Sequence, residues 1–195
     1  MSDNVRVISV ETLADNWGIL KNHTIEFKRR DGHWQRQTRE TYDRGDAASI
    51  LLCNREKGTV ILTRQFRIPL FARGDQPMLI ETCAGKLDAD DPATCAKKEA
   101  EEETGYRIEA VDYLFQAYMS PGSVTEKLHF FLGYYTSSSR VSEGGGLPDE
   151  GEDIEVVEMP FSDALDMIEA GTIEDGKTIM LLQAAAMRGV FEPAT

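Results

Sequence analysis

The sequence predicts an α/β fold, an α/β/α sandwich with a mixed sheet and an N-terminal β-rich arm. Three observations carry this. Strand-like apolar runs flank one strand–loop–helix–strand unit in the middle of the chain. Residues from about 4 to 45 alternate apolar and polar side chains but gather little core of their own. Two helical stretches close the chain. The organisation expected is an arm over residues 1–45 and a main domain over 46–195.

The elements follow in order. Val5–Val10 and Thr24–Lys28 alternate as half-buried strands, and Asp31-Gly32 between Phe27 and Trp34 is a hairpin signal. Ala48–Cys53 and Thr59–Thr63 flank a turn and read as a buried strand pair. Leu79–Cys83 is a short strand, and 113–118 and 128–135 are further ones. Residues 137–153 hold three serines in a row, three glycines in a row and several acids, the composition of a flexible surface loop. Val156–Met159 is the last strand. Helices are expected over Phe161–Ala170, with Ser162 as N-cap and Gly171 as stop, and over Lys177–Gly189.

Composition narrows the function. At 195 residues and 41% apolar, the chain can bury an ordinary core. No apolar run is long enough to span a bilayer, and the N-terminus lacks the apolar stretch of a signal peptide. A cytoplasmic location is expected, with Cys53, Cys83 and Cys95 as buried reduced thiols. A net charge of −13 argues against nucleic acid or an anionic membrane as partner. An anionic ligand would have to be met by local cations or metal.

The most informative segment runs from Gly85 to Tyr106. Asp91 is a good N-cap, Pro92 suits the first helical position, and Gly105 can end the helix in the left-handed region. Between them Glu99, Glu102 and Glu103 share one helix face. Like charges so spaced repel one another, and a hard cation such as Mg²⁺, which takes oxygen ligands, would reconcile them. Read alone, the same run could be a solvated acidic face.

Gly85, Asp91, Lys98-Glu99, Glu102-Glu103, Gly105 and Tyr106 together resemble the Nudix box, the signature of hydrolases that cleave a nucleoside diphosphate linked to another group. The box is shortened, with six residues between Asp91 and Lys98, and Lys98 stands where arginine is usual. Asp15-Asn16-Trp17, Arg39–Gly45, Arg64–Arg67, Ile80–Gly85, Met119–Gly122, Glu152–Glu155 and Asp175–Thr178 extend the resemblance across the chain. They are similar to the GDP-mannose pyrophosphatase branch of NudK type, which carries the same shortened box.

The resemblance implies a Nudix hydrolase domain over 46–195 and a homodimer whose swapped N-terminal arms complete the partner's site. It implies Mg²⁺ held by the Ala84 carbonyl, Glu99, Glu103 and Glu152, with Glu103 and Glu152 catalytic and Glu152 the general base. Glu102 is left with a secondary role, and the neighbouring loop acids from Asp149 to Glu155 leave the choice of base open. Substrate contacts fall on Trp17, Thr38, Arg39, Glu40, Arg67, Ala84, Gly85, Lys86, Glu103, Glu126, Glu152 and Lys177. Arg67 suits bidentate phosphate binding. Lys177, at a helix start, suits an anion better than it suits the helix. Trp17 is either a stacking platform for a base or an anchor for the arm.

The activity implied is Mg²⁺-dependent hydrolysis of GDP-mannose to GMP and mannose 1-phosphate. The alternatives are an ADP-ribose or broader nucleotide-sugar pyrophosphatase and, in another class, a non-catalytic nucleotide-binding module. The last predicts erosion of the acidic face, and Glu99, Glu102, Glu103 and Glu152 are all present.

Overall fold

The structure, a computed structural model, describes residues 3–192. It divides into two compact units. One is the chain through Asp46 together with Tyr118–Lys127, and the other is Ala47–Ala117 with the chain from Leu128 onward.

The first unit is an antiparallel sheet of β1 (Val5–Asp15), β2 (Ile19–Lys28) and β3 (Trp34–Asp43). The strands are longer than the alternation predicts, and β3 is one that its charged sequence hides. The Asp31-Gly32 signal does form the β2–β3 turn, with Gly32 at φ 88°. Tyr118–Lys127 joins this unit because the Tyr42 N–H donates to the Ser123 carbonyl at 2.7 Å and the Thr125 N–H to the Tyr42 carbonyl at 3.0 Å. The 46–195 boundary expected from sequence would leave that segment in the main domain.

The second unit centres on β4 (Ala47–Asn54), in which every residue is buried. Its seven-stranded sheet runs β10-β5-β4-β9-β8, where β5 is Thr59–Phe66, β8 Val111–Tyr118, β9 Lys127–Tyr134 and β10 Glu155–Pro160. β4 and β9 are parallel while β4 and β5 are antiparallel, so the sheet is mixed, as predicted. The far half of β4 pairs with β5, from Leu52 to Asn54. Its near half pairs with β7 (Cys83–Lys86), and β6 (Met78–Glu81) pairs with β5. The single strand expected over Leu79–Cys83 is therefore two, turning at Thr82 as the sheet splits.

Strand alternation sends successive side chains of β4 to opposite faces. Ala48, Ile50 and Leu52 pack with Cys95, Ala96 and Ala100 of α2 (Pro92–Thr104). Ser49 points the other way, where its Oγ lies 3.0 Å from Thr82 Oγ1, which in turn lies 3.3 Å from Thr178 Oγ1 of α4 (Gly176–Met187). With α3 (Phe161–Glu169) packed on α4, β5 and β10, helices cover both faces of the sheet.

One local expectation is corrected, and two further local features are added. Ser162 is not the N-cap of α3: the helix starts at Phe161 behind Pro160, without a side-chain cap, and Ser162 donates to Asp163 within the first turn. A short α1 (Ile68–Arg73) follows Arg67, unannounced because the sequence is dominated by Ile68-Pro69. Residues 137–153 are a loop pinned at several points. Two 3₁₀ turns form there, and the N–H groups of Gly145 and Gly146 donate to the carbonyls of Glu103 and Glu102 at 2.9 and 3.1 Å. The last carbonyls of a helix need partners, and this loop supplies them. No helix among the described residues is long and apolar enough to cross a membrane.

Candidate active site

The acidic helix is built as its sequence dictates. Asp91 accepts from the N–H groups of Ala93 and Thr94 at 3.0 and 3.2 Å, and Gly105 closes the helix at φ 78°. Ala96 and Ala100 bury the core side of α2, while the three acids of the other side differ sharply in environment.

Glu103 is the most buried, at 2% exposure. Among the described residues its Oε2 has no hydrogen-bond partner. Burial, joined by repulsion from Glu99, Glu152 and Glu81, pushes its carboxyl well above the usual range, and Arg67 offsets only part of this. Glu99 is pushed up to about 7 by burial and by Glu102 and Glu152, with Lys98 opposing. Glu102 forms an i,i+4 pair with Lys98 at 3.8 Å and has a cation already. The face predicted from spacing exists, but its three members are not equivalent.

β7 brings the box loop beside this face by pairing Ala84 with Ser49 and Gly85 with Ala48. At Gly85 a Cβ would overlap the Glu99 carboxylate, so only glycine permits the approach. Glu152 arrives from the loop, held by the Leu147 N–H, which donates to its Oε2 at 2.8 Å. Among the described residues no three acidic, histidine or cysteine side chains form a ready-made metal cage. An orphaned buried oxygen between mutually repelling carboxylates nonetheless fits a hard cation, and Mg²⁺ takes few protein ligands and keeps its waters.

Arg67 and Lys177 meet at a residue the sequence reading did not select. Glu81, 1% exposed at the end of β6, accepts from Arg67 Nε at 2.5 Å and Nη2 at 2.9 Å, and from Lys177 Nζ. Asp175 is the N-cap of α4 and lies 2.9 Å from Lys177 Nζ. The charge conflict expected of a lysine at a helix start is thus resolved within the protein, by two carboxylates. A lone acid inside an apolar strand was the available signal for Glu81.

The remaining predicted residues, Lys86 apart, belong to the first unit. Trp17 is 64% exposed, with the Arg44 guanidinium 4.7 Å from its ring centroid. Arg44 Nε lies 3.2 Å from Glu126 Oε1, an ion pair by distance without hydrogen-bond alignment. Arg44 therefore links two predicted contact residues and was itself missed. Arg39 and Glu40 line an open cleft of about 590 Å³ with Tyr118 and the 121–125 turn, and Arg39 Nη1 donates to the Thr38 carbonyl at 2.8 Å. Lys86 ends β7 next to Gly85.

Known proteins share this architecture from end to end. Residues 4–42 match the family described as the GDP-mannose pyrophosphatase NudK N-terminal domain, and residues 43–192 match the NUDIX domain. The chain is 55% identical over 192 residues to a GDP-mannose pyrophosphatase of Pectobacterium atrosepticum, covering 98% of both chains. It is 50% identical over 192 residues to that of Klebsiella pneumoniae, covering 98% of this chain and 96% of the other. A solved ADP compounds hydrolase superposes with a TM-score of 0.74 over 96% of this chain and 95% of that one, and at 18% identity it speaks to the fold alone. With a NUDIX match over most of its length and relatives this similar over nearly all of it, the chain belongs to the NUDIX family, in the branch of NudK-type GDP-mannose pyrophosphatases.

Proposed function

We propose that this protein hydrolyses GDP-mannose to GMP and mannose 1-phosphate. The observation that carries the chemistry is the buried Glu103 carboxylate, one oxygen of which has no hydrogen-bond partner among the described residues, near enough to Glu99 and Glu152 to be repelled by both. The substrate follows from full-length relatives that are GDP-mannose pyrophosphatases. Water attacks one phosphorus of the diphosphate, and the bridging P–O bond breaks toward the other phosphate. Bound Mg²⁺ would neutralise charge on the phosphate oxygens and lower the pKa of water. The Ala84 carbonyl, Glu99, Glu103 and Glu152 are the residues to hold it. Glu152 takes the proton from the attacking water. Arg67 and Lys177 orient the phosphates, with Gly85 and Lys86 bordering them.

Trp17, Thr38, Arg39, Glu40 and Glu126 contact the nucleoside and sugar, the arm residues reaching the neighbouring subunit of a cytoplasmic homodimer. An exposed indole backed by a guanidinium supports a stacking role for Trp17.

The test is turnover of an equimolar mixture of GDP-mannose, ADP-ribose and other nucleotide sugars with Mg²⁺, products being quantified. GMP and mannose 1-phosphate should dominate. Faster loss of ADP-ribose would sink the substrate assignment, and no turnover at all would return the chain to a binding module. The shared site is tested by mixing an Arg39→Ala variant with a Glu103→Gln variant under conditions of subunit exchange. Activity should reappear, and its absence counts against swapped arms.

A further inference from the structure

We infer that Glu81 is a positioning residue for this reaction: its buried carboxylate locks the Arg67 guanidinium and the Lys177 ammonium into one rigid donor unit that faces the diphosphate. The inference rests on the reading of Arg67 and Lys177 as phosphate contacts.

Glu81 lies at 1% exposure where β6 ends and the sheet splits. A carboxylate so buried costs several kcal/mol of hydration, which its ion pairs offset without a clear net gain over an apolar side chain of similar size. Its value lies in geometry. Arg67 meets it through Nε and Nη2, the two-pronged contact that fixes the plane of a guanidinium. Lys177 meets the oxygen that also takes Nη2, so both cations are referred to one carboxylate.

The arrangement closes on itself. Lys177 Nζ also contacts Asp175 Oδ1 at 2.9 Å, and Asp175 Oδ2 accepts from Thr178 Oγ1 at 2.6 Å and Thr178 N at 2.9 Å. Thr178 Oγ1 accepts from the N–H of Thr82, the residue after Glu81, at 2.7 Å. A ring of bonds therefore ties the β6–β7 corner to the first turn of α4, with the ammonium inside it. A lysine ammonium has three donors; here one bonds Glu81, and Asp175 lies at ion-pair distance. Among the described residues Arg67 keeps Nη1 in reserve, on a side chain 38% exposed.

Charge sharpens the point. Arg67 and Lys177 carry two positive charges, and Glu81 and Asp175 two negative ones, so the cluster is neutral. It cannot attract a diphosphate by net charge and must recognise it with donors held in the right direction. Two opposite outcomes follow for Glu81→Gln. If charge alone mattered, removing an anion would strengthen binding of a diphosphate. If Glu81 positions the cations, binding weakens although the cluster has become more positive.

The experiment compares wild type, Glu81→Gln, Glu81→Asp, Arg67→Met and the Glu81→Gln/Arg67→Met double variant. It measures kcat and KM for GDP-mannose with Mg²⁺, affinity for inorganic pyrophosphate by calorimetry, and the thermal midpoint. Glu81→Gln should lower kcat/KM about 10- to 100-fold, the scale of a misplaced reacting group. It should weaken pyrophosphate binding in parallel, while the thermal midpoint shows the fold retained. Glu81→Asp keeps the charge but not the reach, and should fall with it. In the Arg67→Met background, adding Glu81→Gln should cost clearly less than it does in wild type, because only Lys177 is left to position. Unchanged or tighter pyrophosphate binding in Glu81→Gln overturns the inference, as does a fully multiplicative double variant. If wild type binds pyrophosphate but leaves GDP-mannose intact, the substrate reading fails while the calorimetric comparison still decides the role of Glu81. If Arg67→Met binds pyrophosphate as wild type does, the phosphate-contact reading fails instead.

Discussion

The Glu99 carboxylate fills the space that a side chain at Gly85 would need. The strand that carries Ala84 and Gly85 and the helix that carries the acids are therefore fitted to each other across one missing methyl group. Gly85→Ala should displace Glu99 rather than unfold the chain, since the atom in the way ends a flexible side chain. We expect a loss of about 100-fold in kcat/KM with a stability change of about 1–3 kcal/mol. Steady-state kinetics alongside thermal unfolding measures both, and normal activity would mean that Glu99 is free to sit elsewhere.

Glu103→Gln separates function from stability. The wild-type carboxylate is buried with an unpartnered oxygen, so in metal-free protein the amide should unfold at the same temperature or higher. Turnover should drop at least about 100-fold, the upper end of what losing support for a bound metal costs. Mg²⁺ at a hundred times its Kd should stabilise wild type by about 2.7 kcal/mol and the variant far less. Equal Mg²⁺ stabilisation of both proteins would displace Glu103 from the metal site.

Acid should expose the Glu81 network. Burial raises the Glu81 pKa, but Arg67 and Lys177 outweigh burial and hold it below the ordinary glutamate value. A carboxylate depressed in the folded state stabilises the protein fully above its unfolded pKa of about 4.3, and that stability is lost as pH falls through the folded value. Denaturant titrations across the acid range should show a shallower loss for Glu81→Gln than for wild type. Parallel curves would mean that Glu81 is not charged in the fold.

The three cysteines should resist thiol reagents in the native state. All are buried, and burial pushes Cys53 and Cys95 up to about 12 and Cys83 well above its usual value. The thiolate is the reactive form. A chromogenic disulfide should label none at pH 7.5 within minutes and all after denaturation. Rapid labelling of one thiol would locate a local opening.

The parts of the fold legible in the sequence were those with a local physical cause. Asp91, Pro92 and Gly105 bound the acidic helix because capping depends on a few adjacent residues. The buried run 48–53 announced the central strand. What stayed hidden depends on distant partners. Trp34–Asp43 is too charged to read as a strand, and its pairing with β2 makes it one. Glu81 and Arg44 acquire meaning only through cations and carboxylates remote in sequence. Lys177 stands out in the sequence as a misplaced charge, but the carboxylates that answer it come from β6 and from the α4 cap.

One contact made by the candidate base leads further. Glu152 Oε2 accepts from the Leu147 N–H, and a Cβ at Gly146 would press on that same oxygen. The side chain thus staples its own loop with one oxygen and has the other to work with. In its proposed role, a single carboxylate would both hold the shape of the loop and take the proton. Glutamine keeps an acceptor for the staple while it abolishes the base, whereas aspartate keeps the base and shortens the staple. The two replacements divide what the enzyme has merged.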